Sequence, residues 1–197
     1  MIKIAITGNI AAGKSAAEKI LSEKGFSVTD TDEIAHFLLE KSDSVKDKIR
    51  LCFKEYDIPD ESGNIDRKKL GKIVFNNHEL LKQLEEIIHP AVIEEINKFF
   101  RQNKNKEIVF VSVPLLYEIN LTYLFDKVIL IYADDNIREK RLIEKRGFSK
   151  DEAISRMNAQ MSQELKIKSA DCVIYNNSDL TNVASQLNNF LKTIINH

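Results

Sequence analysis

An α/β fold built on a parallel sheet is what this chain predicts, and three observations predict it. Five short apolar runs recur along the sequence, helical patterns separate most of them, and the first run leads into "GNIAAGKS", residues 8–15. Strands alternating with helices make a parallel sheet with right-handed crossovers. Gly8, Gly13, Lys14 and Ser15 satisfy a spacing whose backbone N–H groups wrap a phosphate, provided that the loop joins a strand to a helix.

The flanking residues supply that context. "MIKIAIT" reads as the first strand, and Ala16, Ala17, Ile20 and Leu21 recur at helical spacing behind the loop, with Gly25 at a capping position. "FSVTD" reads as the second strand, followed by a helix marked by Ile34, Phe37 and Leu38. Residues 42–104 are charged and helical, with no convincing strand. There "ELLKQLEEII" and "AVIEEINKFF" flank His89-Pro90. Proline disfavours helical geometry in the residue before it and suits a first turn, so a bend between two helices is expected.

The unbroken apolar run "IVFVSV" fits a strand buried on both faces, and "KVILIYA" and "DCVIY" bring the strands to five. A basic helix follows "KVILIYA". Ser149 and Glu152 then stand at capping-box spacing for the next helix. Leu180, Val183, Ala184, Leu187, Phe190, Leu191 and Ile194 trace a closing amphipathic helix. The expected organisation is a core over 1–41 and 105–197, a helical insertion over 42–104, and a lid region over 138–166.

Composition narrows the class. The chain has 197 residues, 43% hydrophobic and 30% charged, with a formal net charge of −1, so no basic field suggests nucleic acid or an anionic membrane surface. Cys52 and Cys172 form no C-x-x-C pair and suit a reducing compartment. The opening run is too short for a signal peptide, and no apolar stretch reaches membrane-spanning length. A soluble cytoplasmic protein is expected.

Several residues could carry chemistry. In the loop, Lys14 reaches the β/γ-phosphates, the Ser15 hydroxyl joins a Mg²⁺ shell, and the helix starting at Lys14 adds its N-terminal dipole. Asp32 in "TDTDEIAH" is either a helix N-cap or a carboxylate at the sheet's C-terminal edge that takes a proton from an attacking hydroxyl. The residues alone do not choose between Asp30 and Asp32 for that base. Arg138, Arg141 and Lys145 share a helix face, which reads as a solvated stripe or as a lid over phosphates. Where many loops of this kind pair with an aspartate on a following strand, this chain has Ser112-Val113-Pro114. That weighs against a switch GTPase or a motor ATPase. His89 alone reads as a junction histidine, and His36, His78 and His197 show no ligand spacing, so no structural metal is expected.

Taken together, the segments resemble dephospho-CoA kinases. The resemblance runs in family order over nearly the whole chain: the loop, "DTDEIAH", "GNIDRKKLGKIVFNN", "LEEIIHPAV", "VPLLYE", "RLIEKRGFSKDEAISRMNAQ" and "ADCVIYNN". It implies a P-loop kinase fold, a five-stranded parallel sheet flanked by helices with a helical substrate domain and a helical lid. It also implies transfer of the ATP γ-phosphoryl to the ribose 3′-hydroxyl of dephospho-CoA, with Mg²⁺. The family's proposed base matches Asp32, which joins Lys14 as a catalytic residue. Arg67, His89 and Pro90 match positions near the acceptor. Gly8, Ala11, Ala12, Gly13, Lys14, Ser15 and Ala16 match the ATP loop, Arg141 a lid-side nucleotide contact, and Asn176 a loop beside the adenine. Asn9, Ala11, Ala12 and Ala16 depart from the family loop, and Lys145-Arg146 stands where the family has Arg-Asp. A Cβ at 11 and 12 limits positive φ. The rival readings are another small P-loop kinase, acting on a nucleoside monophosphate or a small alcohol, and a nucleotide-binding regulator without turnover.

Overall fold

The computed structural model describes residues 1–60, 64–75 and 77–195, so Gly63 and Asn76 of the "GNIDRKKLGKIVFNN" motif, and His197, lie outside the described residues. All five expected strands form: β1 (Ile2–Thr7), β2 (Ser27–Asp30), β3 (Ile108–Ser112), β4 (Lys127–Tyr132) and β5 (Cys172–Tyr175). Every pairing in their sheet is parallel, in the order β2-β3-β1-β4-β5. β3 is buried at every residue, as its unbroken apolar run requires. With β3 and β4 on either side, β1 is the central strand, and the glycine loop leaves its carboxyl end. Open α/β sheets collect their ligands at that edge.

α1 (Lys14–Glu23) starts directly behind the loop and buries Ala17 and Leu21, one turn apart. They join Ile4, Ile6, Ile129 and Ile131 of the sheet in one apolar cluster. α1 ends as the sequence predicts: Gly25 N–H donates to Ser22 O over 2.9 Å and Phe26 N–H to Leu21 O over 3.2 Å, the pair of bonds that closes a helix with a left-handed glycine. α6 (Asp135–Arg146), α7 (Lys150–Asn158) and α8 (Gln163–Ser169) connect β4 to β5, and the Ser149–Glu152 capping box opens α7. α9 (Leu180–Ile195) adds Val183, Leu187 and Leu191 to the same cluster. Each such leucine or isoleucine contributes about 1.5–3 kcal/mol relative to exposure.

The chain divides into two compact units, Met1–Asp30 with Asn103–His197, and Thr31–Gln102. The second contains α2 (Thr31–Lys41), α3 (Asp43–Cys52), α4 (Arg67–Phe75) and α5 (His78–Gln102). Two expectations change here. The boundary falls at Thr31 rather than at residue 42, because α2 packs on α3 and α5. α5 also runs unbroken through Pro90 instead of splitting at His89-Pro90. A proline inside a helix costs about 3 kcal/mol or more. Burial of Val92, Ile96 and Phe100, and packing against α2, α3 and α4, outweigh that local preference. Among the described residues no helix is long and apolar enough to cross a membrane.

Candidate active site

The loop's two glycines are demanded by close approach. Gly13 caps α1 at φ 104°, and a Cβ there would run into the Asn176 side-chain amide. A Cβ on Gly8 would run into the Ile131 carbonyl. Ala11 does what its side chain opposes, standing at φ 61°, a conformation that costs a non-glycine residue about 1–2 kcal/mol.

The surroundings over-determine that shape. Arg141 Nη1 donates to Ala11 O over 3.1 Å and to Ala12 O over 3.3 Å. Asn176 Nδ2 donates to the same Ala12 carbonyl over 2.7 Å, and Arg141 Nη2 reaches Asn176 O at 2.9 Å. On the other limb, Ile10 N–H donates to Gln160 Oε1 over 2.6 Å and Asn9 Nδ2 to Met161 O over 2.9 Å. Lys14 Nζ crosses the loop to Gly8 O at 2.8 Å. The loop is therefore held from α6, from the segment after α7, and from the end of β5.

Ala11, Gly13, Lys14, Ser15 and Ala16 line one wall of a cavity of about 420 Å³, and Arg141, Lys145, Arg146 and Asn176 line another. Lys145 and Arg146 both face it. Four cationic side chains around a phosphate-sized loop make a field suited to a polyphosphate. Burial lowers the Arg141 pKa, yet a guanidinium stays charged throughout the useful pH range. Gly8 and Ala12 do not line the cavity: Ala12 is fully buried.

Arg138 does not share the exposed stripe expected for it. It is buried, with Nη2 paired to Asp135 Oδ1 at 2.8 Å and Nη1 on Ile10 O at 3.4 Å. The face of α6 turned to the loop is a packed foundation at Arg138 and opens to the cavity only from Arg141 onward. Behind Met161, the fully buried Lys166 pairs with Glu118 at 2.7 Å, and Glu118 Oε1 accepts from Met161 N–H at 3.2 Å. A buried lysine requires such a partner.

At the carboxyl edge, Ser112 of β3 donates its hydroxyl to Glu18 Oε1 over 2.6 Å, and Asp30 of β2 stands in register with Ser112. Asp32 is exposed and belongs to the first turn of α2, which begins at Thr31. An acid there favours the helix dipole.

Within the helical unit, Arg67 Nη1 lies 3.2 Å from His36 Nε2, and both line a cavity of about 600 Å³ with Lys41 and Lys68. Pro90 lines a different cavity of about 320 Å³, and His89, half-buried on α5, lines neither. A larger cavity of about 840 Å³, lined by Ile2, Lys127, Cys172 and Phe190, opens at the amino ends of the strands. That is the wrong edge for a ligand site in this architecture.

Sequence reasoning missed Glu18, Gln160 and His36 as site neighbours. Glu18 carried a faint signal, an acid among the small and apolar residues of α1. Gln160 and His36 stand at the ends of "RLIEKRGFSKDEAISRMNAQ" and "DTDEIAH", but nothing in those motifs names their partners, which only folding brings near.

Comparison with known proteins follows the same lines. The family model described as dephospho-CoA kinase matches residues 2–182. A dephospho-CoA kinase from Fusobacterium nucleatum is 41% identical over 191 residues, covering 97% of each chain. A solved Thermus thermophilus protein superposes with a TM-score of 0.84 at 29% identity, covering 98% of this chain and 96% of that one. The dephospho-CoA kinase from Campylobacter jejuni gives a TM-score of 0.65 at 30% identity, with 98% and 96% covered.

Proposed function

The chain belongs to the dephospho-CoA kinase family, and we propose from that premise a division of labour among its residues. The reaction moves the γ-phosphoryl of ATP to the ribose 3′-hydroxyl of dephospho-CoA, giving coenzyme A and ADP. The observation that carries the reading is the loop itself: a complete phosphate-binding sequence at the carboxyl end of the central strand, clamped by Arg141 and Asn176, with Lys14 and Ser15 in one cationic cavity.

Lys14 neutralises charge on the β/γ-phosphates, and Arg141 with Lys145 and Arg146 covers the phosphates from α6. Such positioning and charge compensation make up most of phosphoryl-transfer catalysis. Asn176 holds the loop and borders the nucleotide. Asp32 takes the proton of the acceptor hydroxyl, and Arg67, His89 and Pro90 serve the acceptor side. Residues 138–166 form the lid. Its fixed end is Arg138, whose burial sets the root about which the rest closes.

Magnesium fits the donors present. Ser15 offers a hydroxyl oxygen at the cavity, and among the described residues no three acidic, histidine or cysteine side chains gather into a cage. This suits a hard cation that takes most of its ligands from phosphates and water. Held beside Ser15 with ATP, such an ion would supply positive charge that offsets the charge developing on transfer.

A panel of acceptors tests the reading. ADP release with dephospho-CoA, and none with AMP or shikimate, is expected. Release with either of the others and not with dephospho-CoA would favour a different small-molecule kinase.

A further inference from the structure

Met161 is gripped on one side and grips the loop on the other. Its N–H donates to Glu118 Oε1 over 3.2 Å, and its carbonyl accepts from Asn9 Nδ2 over 2.9 Å. The preceding side chain, Gln160, accepts from Ile10 N–H over 2.6 Å. Two consecutive residues between α7 and α8 therefore hold two consecutive residues of the glycine loop. Glu118 stands in the turns after β3, and the same Oε1 pairs with Lys166 of α8 at 2.7 Å. Lys166 is fully buried, and Glu118 Oε2 is buried with no hydrogen-bond partner among the described residues.

An ion pair so placed is a poor source of stability. Desolvating the two charges offsets their attraction, and a well-packed apolar pair of similar volume is often as stable or more so. The unpartnered Oε2 adds to the cost. What an apolar pair cannot do is accept the Met161 N–H. We infer that Glu118 is a positioning residue for the nucleotide loop: it fixes Met161, Met161 fixes Asn9, and the buried Lys166 holds the carboxylate in place. The inference rests on the nucleotide site proposed above. Neither Glu118 nor Lys166 lines the cavity of Lys14 and Ser15, so both act on ATP through the loop. Backbone N–H groups cradle a phosphate only while the loop keeps its course, and small misplacements rooted far from the chemistry are felt there. The pair also gives the lid region a second root, at the opposite end from Arg138.

The test compares two double variants by KM for ATP, KM for dephospho-CoA and a thermal melt. Lys166→Met/Glu118→Met removes both charges and the acceptor for Met161. Lys166→Met/Glu118→Gln removes both charges and keeps a carbonyl oxygen there. The first should raise KM for ATP by about tenfold, the weight of one hydrogen bond to a charged group. Its KM for dephospho-CoA should stay close to the parent value, and its melting midpoint should match or exceed the parent's. The second should recover most of the loss. Asn9→Ala cuts the same chain of bonds at its loop end. It should raise KM for ATP in the parent and add little to Lys166→Met/Glu118→Met, since residues sharing a partner are not additive. It also carries the test if Lys166→Met/Glu118→Met does not fold. The inference is overturned by an unchanged KM for ATP in Lys166→Met/Glu118→Met or in Asn9→Ala. It is also overturned by an equal rise in both KM values, which is general loosening, or by an equal loss in the two double variants, which would leave Met161 out of it. If Lys14→Ala saturates with ATP as the parent does, the nucleotide site itself is refuted.

Discussion

Asn176 and Ala12, 164 residues apart, meet in a 2.7 Å bond from the Asn176 amide to the Ala12 carbonyl. The end of β5 thereby fixes the glycine loop behind β1, and both residues are buried. Asn176→Ala would remove the shorter of the two bonds to that buried carbonyl, leaving Arg141 Nη1 at 3.3 Å, at a cost of about 0.5–1.5 kcal/mol. In a chain of this size each kcal/mol lowers the melting temperature by about 2–4 °C. A melt and an ATP titration should show a loss of both stability and affinity. Unchanged values in both would show that the bond does not hold the loop.

Ala11 supplies a test in the opposite direction. Its left-handed backbone costs a non-glycine residue about 1–2 kcal/mol, while glycine loses about 0.4–1 kcal/mol through a freer unfolded chain. Ala11→Gly should therefore be stabilised by up to about 1 kcal/mol, and Ala11→Val should be destabilised, because a β-branched residue is a severe outlier at positive φ. A lower melting temperature for Ala11→Gly would contradict the strain at φ 61°.

Arg141 spans two loop carbonyls and the Asn176 carbonyl while lining the cavity. Hydrogen bonds to a charged group contribute about 1.5–3 kcal/mol, or tenfold and more in affinity. Arg141→Ala should raise KM for ATP by about tenfold or more and leave KM for dephospho-CoA close to the parent value. Arg141→Lys should recover only part of the loss, since an ammonium cannot serve three carbonyls as a guanidinium fork does. An equal change in both KM values would remove the nucleotide-side assignment.

Much of this arrangement was legible because its signals are local. The strands, the loop, the Gly25 terminus and the Ser149–Glu152 capping box each depend on residues close in sequence. What escaped the sequence depends on distant partners. Arg138 shows the same spacing as an exposed stripe, and only contact with Ile10, 128 residues away, makes it a buried support. Ser112 read as the lack of an acid, whereas folding brings Glu18 to it from 94 residues upstream. Pro90 signalled a break that packing along α5 overrides. The split at residue 42 failed because α2 follows the sheet in sequence but packs on helices.

Asp32 separates two contributions. As the proton acceptor it should supply roughly 10²–10⁴-fold in rate. As an acid in the first turn of α2 it contributes only about 0.3–1 kcal/mol of stability through the helix dipole. Asp32→Asn should melt within a few degrees of the parent and bind ATP normally, with turnover at saturating dephospho-CoA reduced by about 10²–10⁴-fold. Full turnover in Asp32→Asn would move the base elsewhere, with Asp30→Asn the next variant to assay.

The central claim is phosphoryl transfer to dephospho-CoA in the Lys14 loop, and ³¹P NMR of the complete reaction tests it most directly. With ATP, Mg²⁺ and dephospho-CoA, a new phosphomonoester resonance should grow in step with ADP, one for one, and Lys14→Ala should produce neither. ADP without the monoester, or a monoester formed undiminished by Lys14→Ala, would contradict the account.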